Sequence, residues 1–168
     1  MPTQISGTNG ADKIQDGTVT PADTQVGALP SMVRLNTANG YGSTNTKIRR
    51  FTNTVTNQGS DITYADSATL GASFTINTDG TYAISYSDCF TNPAVMGMSL
   101  NSTQLTTNLE SITVASILSA NITGSANYVG VASWNGYLPA GSVIRPHSAG
   151  LAVGTIGAGV QFTIVRVA

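Results

Sequence analysis

Charge is the scarcest property of this chain. Seven basic and eight acidic residues make up 9% of 168, against roughly 25% in an ordinary soluble domain. A net charge of −1 leaves no electrostatic footprint for nucleic acid. One cysteine, Cys89, excludes an intrachain disulfide and a Cys-based zinc site. One histidine, His147, excludes a histidine cluster. Apolar runs fall far short of the roughly 18 residues a membrane helix needs, so no membrane partner is expected. Met1-Pro2-Thr3-Gln4 is polar and uncharged, unlike the start of a basic-then-apolar leader.

What is present is hydroxyl, amide and glycine: 24 Thr, 17 Ser, 13 Asn and 18 Gly. The polar surface must be built from these groups. Hydrophobic residues reach 40%, and many are β-branched. With few Lys and Glu to favour helix, this composition reads as an all-β domain. The length suits one domain, and a chain of roughly 150 residues can bury about 70% of its unfolded surface.

Residues 1–30 read as an extended N-terminal arm. They carry scattered Gly and Pro and isolated apolar residues with no sustained period. Ordering such an arm costs about 1–2 kcal/mol per residue, so its order would come from a neighbouring subunit or a larger assembly. Residues 31–168 read as the folded domain. Val33 to Thr46 is taken as a connection with a turn at Asn39-Gly40. Lys47 to Thr56 is a strand whose parity changes between Ile48 and Phe51, suggesting a bulge near Arg49-Arg50. Leu70, Ala72, Phe74 and Ile76 alternate, as do Tyr82, Ile84 and Tyr86. With Asn77-Thr78-Asp79-Gly80 between them they predict a hairpin from Thr69 to Ser87.

Further strands are expected at Met96 to Leu100, Ala126 to Trp134, Ser142 to Arg145 and Val160 to Val167, and Glu110 to Leu118 reads as a strand or a short helix, with its Thr and β-branched content favouring the strand. Val160 to Val167 is apolar on both faces, as for a central strand. Asn135-Gly136 reads as a turn. About eight strands at roughly ten-residue spacing predict an antiparallel jelly-roll sandwich.

Phe74-Thr-Ile-Asn77 followed by Gly80-Thr-Tyr-Ala-Ile-Ser-Tyr-Ser87 resembles the central hairpin of the C1q/TNF-like jelly-roll superfamily. Met96-Gly-Met-Ser-Leu-Asn101 is similar to its next strand. Tyr137 to Arg145 resembles its Leu-x-x-Gly-Asp-x-Val segment, with Ser142 where Asp is common, and Val160 to Val167 its terminal core strand. In the arm, Ile5-Ser-Gly-Thr and Lys13-Ile-Gln-Asp-Gly-Thr-Val-Thr20 resemble N-terminal segments of tailed-bacteriophage virion proteins. Together the resemblances imply a phage virion protein with a homotrimeric jelly roll. Tyr82, Tyr86, Tyr128, Trp134 and Phe162 are the aromatics expected at the trimer interface, with Tyr137 a further aromatic beside them; the alternative is that they fill the domain's own core.

Catalytic patterns are weak. His147 beside Pro146 reads as a loop residue at the surface or an interface. Cys89 beside Phe90 reads as a buried apolar thiol. Asp61, Asp66, Asp79, Asp88 and Glu110 could supply paired carboxylates, but Asp79 belongs to its turn and Asp61 and Asp66 to loop-like stretches. Asp12 and Asp16 lack calcium-loop spacing. Gly150 to Gly159 lacks the Lys-Ser/Thr of a phosphate cradle and reads as a flexible loop. Arg49-Arg50 suggests an edge or inter-subunit salt bridge.

The expectation is therefore a non-enzymatic virion structural protein without cofactor or metal. It would be a homotrimeric capsid decoration or cement protein on the exterior of the virion. The arm, through Ile5, Ile14, Val19, Val26 and Leu29, would grip the major capsid protein or other virion proteins. The alternative is a tail-fibre or head-fibre adhesin whose Asn, Thr and Tyr surface binds host glycan. The shortness of the arm, where an adhesin has a long shaft, favours decoration. A secreted C1q-like module would need a leader and a collagen repeat.

Overall fold

A computed structural model describes residues 30–168. The arm residues Ile5, Ile14, Val19, Val26 and Leu29 lie outside the described residues. Ten strands follow one another: β1 (Met32–Tyr41), β2 (Arg49–Gln58), β3 (Ile62–Ser67), β4 (Gly71–Ile76), β5 (Gly80–Cys89), β6 (Val95–Leu100), β7 (Ile117–Ile122), β8 (Val129–Leu138), β9 (Val143–Ser148) and β10 (Gln161–Arg166). They form two five-stranded antiparallel sheets. Sheet A has the order β2-β1-β10-β5-β8 and sheet B the order β3-β4-β9-β6-β7. This is an all-β jelly roll, as the sequence predicts, with ten strands in place of eight.

Period-two alternation builds the core. Ala72, Phe74 and Ile76 of β4, and Tyr82, Ile84 and Tyr86 of β5, all point inward and are buried. Phe162 of β10 stacks on Phe74 from the opposite sheet, with centroids 4.1 Å apart and planes inclined by 14°. Phe51 and Tyr86 flank Phe162 at 6.4 and 5.9 Å. Aromatic pairs in this range add about 0.5–1.5 kcal/mol beyond their buried area. The strand apolar on both faces, β10, is central in sheet A between β1 and β5, as expected.

Several expectations need correction. The stretch from Val33 to Thr46 is no simple connection: β1 occupies most of it, because Val33 and Leu35 turn inward and its backbone is held by β10 and β2. Residues 69–87 are no hairpin. β4 and β5 alternate as read, but β4 pairs with β3 and β9, and β5 with β10 and β8. Asn77 to Asp79 is the corner that carries the chain from one sheet to the other. Its geometry is fixed by Asn77 Nδ2 donating to the Ser60 carbonyl at 2.7 Å and by Asp79 Oδ1 accepting from Ala140 N at 2.6 Å.

From Glu110 to Leu118, where strand is favoured over a short helix, the chain mostly forms two short 3-10 turns, Leu109–Ser111 and Val114–Ser116, before β7 begins at Ile117. Asn135-Gly136 is not a turn; both residues pair with β5 inside β8. Asp66, expected in a loop, lies on β3. The irregularity near Arg49-Arg50 exists, but the additional residue is on β1, where pairing steps from Ala38–Phe51 to Tyr41–Arg49. Glycine-rich 150–159 is a loop with a short 3-10 turn at Gly157–Gly159. No helix of the described residues is long and apolar enough to cross a membrane.

Candidate functional site

The inward alternation of sheet A leaves the other half of each strand on its outer face, and the pairing register sets these residues in rows. Asn36, Gln161, Ser87 and Val131 form one row across β1, β10, β5 and β8. Arg34, Thr163, Ser85 and Ser133 form the next, and Met32, Val165, Ala83 and Asn135 the third. Thr81 and Tyr137 pair beyond them. Arg34 is the single charged residue in these rows, and its Nη2 donates to Gln161 Oε1 at 3.1 Å.

This face ends at an apolar border. β8 and β7 are edge strands of the two sheets, and they lie together: Asn121 Nδ2 of β7 donates to the Val131 carbonyl of β8 at 2.6 Å. Along this border Tyr137, Val131 and Ile122 are 63%, 52% and 63% exposed. Val129 and Tyr128 continue it, and exposed Ile156 lies near it in the neighbouring loop, on the other side of Gly159 from Val129. An exposed apolar strip beside a sheet face with a single charge is a surface that association would bury.

The aromatics expected at a trimer interface divide. Tyr82, Tyr86 and Phe162 are completely buried within the protomer, so they serve its own core and have no surface to give to a partner. Trp134 points inward from β8 and is half-buried against that core. Tyr128 stands 69% exposed just before β8. Val129, Val131 and Ile122 were not expected as interface residues. The signal was the pair Val129 and Val131, which alternation places on the face opposite Ala132 and Trp134.

Ionisable groups lie elsewhere. Arg49 and Asp88 are both wholly buried and form a bidentate pair, Nε to Oδ2 and Nη2 to Oδ1, each 2.9 Å. Asp88 also accepts from the Tyr86 hydroxyl and the Cys89 amide. The guanidinium lies over the Tyr41 ring at 4.2 Å. Burial, opposed by Arg49, pushes the Tyr41 hydroxyl up to about 12, and it donates to the Leu151 carbonyl at 2.9 Å. Arg50 instead pairs with Asp66 at 2.8 Å on the rim, joining the edge strands β2 and β3. The Arg-Arg pair is thus one core ion pair and one edge salt bridge within the same chain.

His147 is not a surface loop residue. It is buried on β9 between Ser99 and the Thr107 carbonyl. Cys89 is buried, as expected. Asp61 accepts from Ser31 and pairs with Arg166. Among the described residues, no three His, Cys, Asp or Glu side chains gather where a metal could be held.

No protein-family model matches the chain, and no curated protein matches it in sequence. Solved structures do. Murine APRIL at pH 8.0 superposes with a TM-score of 0.53 at 13% identity, covering 83% of this chain and 100% of that one. The structures at pH 8.5 and pH 5.0 give 0.53 at 15% and 0.51 at 14%, with the same coverage. Likeness at this level of identity speaks to architecture, and the architecture it shows for this chain is a TNF/C1q-like jelly roll.

Proposed function

We propose that this chain is a non-enzymatic structural protein of a tailed-bacteriophage virion. It would be a homotrimeric decoration or cement protein on the outside of the capsid, held there by residues 1–30. The observation that carries the assembly part is the outer face of sheet A, which bears a single charge at Arg34, with its apolar border at β7 and β8. The border runs along the β8 edge of the face while the β1 and β10 ends of the rows lie away from it, so the border of one copy against those rows of the next makes a heterologous contact. Such a contact closes into a ring when the rotation between copies is right, and three is the number the jelly-roll resemblance implies. What supports the virion part is the likeness of Ile5-Ser-Gly-Thr and Lys13 to Thr20 to phage virion segments.

The test is the mass of the full chain in solution, followed by binding to phage heads stripped of it. The full chain is expected to sediment as a trimer. Val131→Glu combined with Tyr137→Glu is expected to sediment as a folded monomer. Deleting residues 1–29 is expected to leave the trimer intact and abolish attachment to heads. A monomeric full chain would overturn the assembly reading, and undiminished attachment after the deletion would overturn the anchoring reading. The adhesin reading draws on Tyr128, an exposed aromatic beside Asn127 and suited to stacking on a sugar ring. Specific binding of the trimer on a glycan array would favour it.

A further inference from the structure

The chain's only histidine lies under the connector that joins β6 to β7. This connector, residues 101–116, crosses the outer face of sheet B and covers β6 and β9. It is tied at several points. Asn101 exchanges hydrogen bonds with Val143 at its start. The Leu105 carbonyl accepts from Lys47 N at 2.6 Å. Leu109 is buried against Gly97 of β6, and Ile112 is buried beside it in sequence. Gln104 Oε1 accepts from Thr113 N and Oγ1, which closes the loop on itself.

The remaining tie is His147. Its ring is fully buried, with Nε2 2.8 Å from the Thr107 carbonyl and Nδ1 3.1 Å from Ser99 Oγ. A carbonyl can only accept, so Nε2 carries the proton and donates. Nδ1 then accepts from the Ser99 hydroxyl. Both contacts are satisfied by the neutral ring in one tautomer. A second ring proton would force Ser99 to reverse its role and would place a charge on a ring with no solvent exposure.

We infer that His147 is an acid-operated latch: the neutral ring clamps the connector to sheet B, and protonation releases the connector while the sandwich stays folded.

The charged groups around the ring do not rescue the cation. Arg145, two residues earlier on β9, has the same sign. Lys47, on the segment before β2, runs past Gly150. Glu110 on the connector is exposed, and β6 contributes no charge. Burial lowers the ring below its ordinary value, opposed by the Thr107 carbonyl and Glu110 and reinforced by Arg145. A histidine lowered in the folded state contributes stability above the ordinary value, about 6.5, and loses it as the pH falls through the folded value. Release therefore lies on the acid side. It would uncover Leu109 and Ile112, an apolar strip on the face opposite the proposed subunit contact.

The test is NMR on the full chain, where a single histidine makes the ring signals unambiguous. The ring protons are expected to titrate with a midpoint below the ordinary histidine value. Across that midpoint the amides of residues 105–113, corrected for intrinsic rates, are expected to exchange at least about tenfold faster, while those of β5 and β10 stay protected. His147→Gln keeps a donor for the Thr107 carbonyl without titrating near neutrality, so its connector is expected to show no acid step. The latch is overturned by an equal acid step in that variant, by β5 and β10 opening together with the connector, or by a ring that titrates while the connector stays closed. Should the variant not fold, coincidence or separation of the ring midpoint and the connector step in the unaltered chain decides. Each readout is local to one protomer and stands whether or not the chain forms trimers.

Discussion

At the scale of single residues, the Arg49–Asp88 pair stands out in a chain so poor in charge. Two opposite charges at 0% exposure carry a desolvation cost that their attraction repays only with full hydrogen bonding. Here Asp88 has its two guanidinium donors, the Tyr86 hydroxyl and the Cys89 amide, while Arg49 Nη1 is buried without a hydrogen-bond partner. The hydroxyl is held well above its ordinary pKa by burial and by the neighbouring carboxylate, so it remains a donor. Removing one partner leaves the other buried and uncompensated. Asp88→Asn is therefore expected to cost about 3–5 kcal/mol in urea denaturation. Adding Arg49→Met to it is expected to recover a large part of that loss, because no lone guanidinium remains. A double variant as unstable as the sum of the singles would show that the two side chains act independently.

At the scale of elements, β6 depends on a close approach. A Cβ at Gly97 would stand 2.0 Å from the Ser119 carbonyl oxygen of β7 and 2.9 Å from Leu109 Cδ2. The side chain is missing where β7 and the connector both press on β6. Gly97→Ala is expected to cost about 1–3 kcal/mol through overpacking and to loosen β7 before the centre of sheet A, measurable by amide exchange. The same elements show how far the sequence could be read. The inward sets of β4, β5, β6 and β10 were legible because alternation is local. Their partners were not, because pairing is a long-range property, and Asn77-Thr78-Asp79-Gly80 serves a corner as well as it serves a hairpin. β1 was hidden by its polar second half, Asn36 to Gly40, which is strand only because β2 runs beside it. At Arg49 an inward position is filled by a charge, which no hydrophobic pattern can reveal. The candidate surface was half legible. Tyr82, Tyr86 and Phe162 have the composition of an interface but the burial of a core, and sequence alone does not separate these.

At the scale of the whole molecule, the scarcity of charge acquires a physical meaning. The rows across sheet A present hydroxyl, amide and alkyl groups with Arg34 as their single charge, and the border at β7 and β8 adds Val129, Val131, Tyr137 and Ile122. The salt bridges Arg50–Asp66 and Arg166–Asp61 lie off this surface, at the far edge of the sandwich and at the end where β10 finishes. An association through this face would be driven mainly by apolar burial and amide or hydroxyl contacts, with Arg34 the one group that could form an ion pair. Ionic contacts at a surface weaken as the Debye length shrinks from about 10 Å at 0.1 M salt to about 3 Å at 1 M. Apolar burial does not weaken with salt in this way, but it does weaken on cooling. The sedimenting mass of the assembled chain is therefore expected to be unchanged between about 0.1 and 1 M salt, with dissociation favoured at low temperature. Dissociation driven by salt would instead place the contact at the charged edge or end of the sandwich, and the charge-poor face of sheet A would then be turned to solvent.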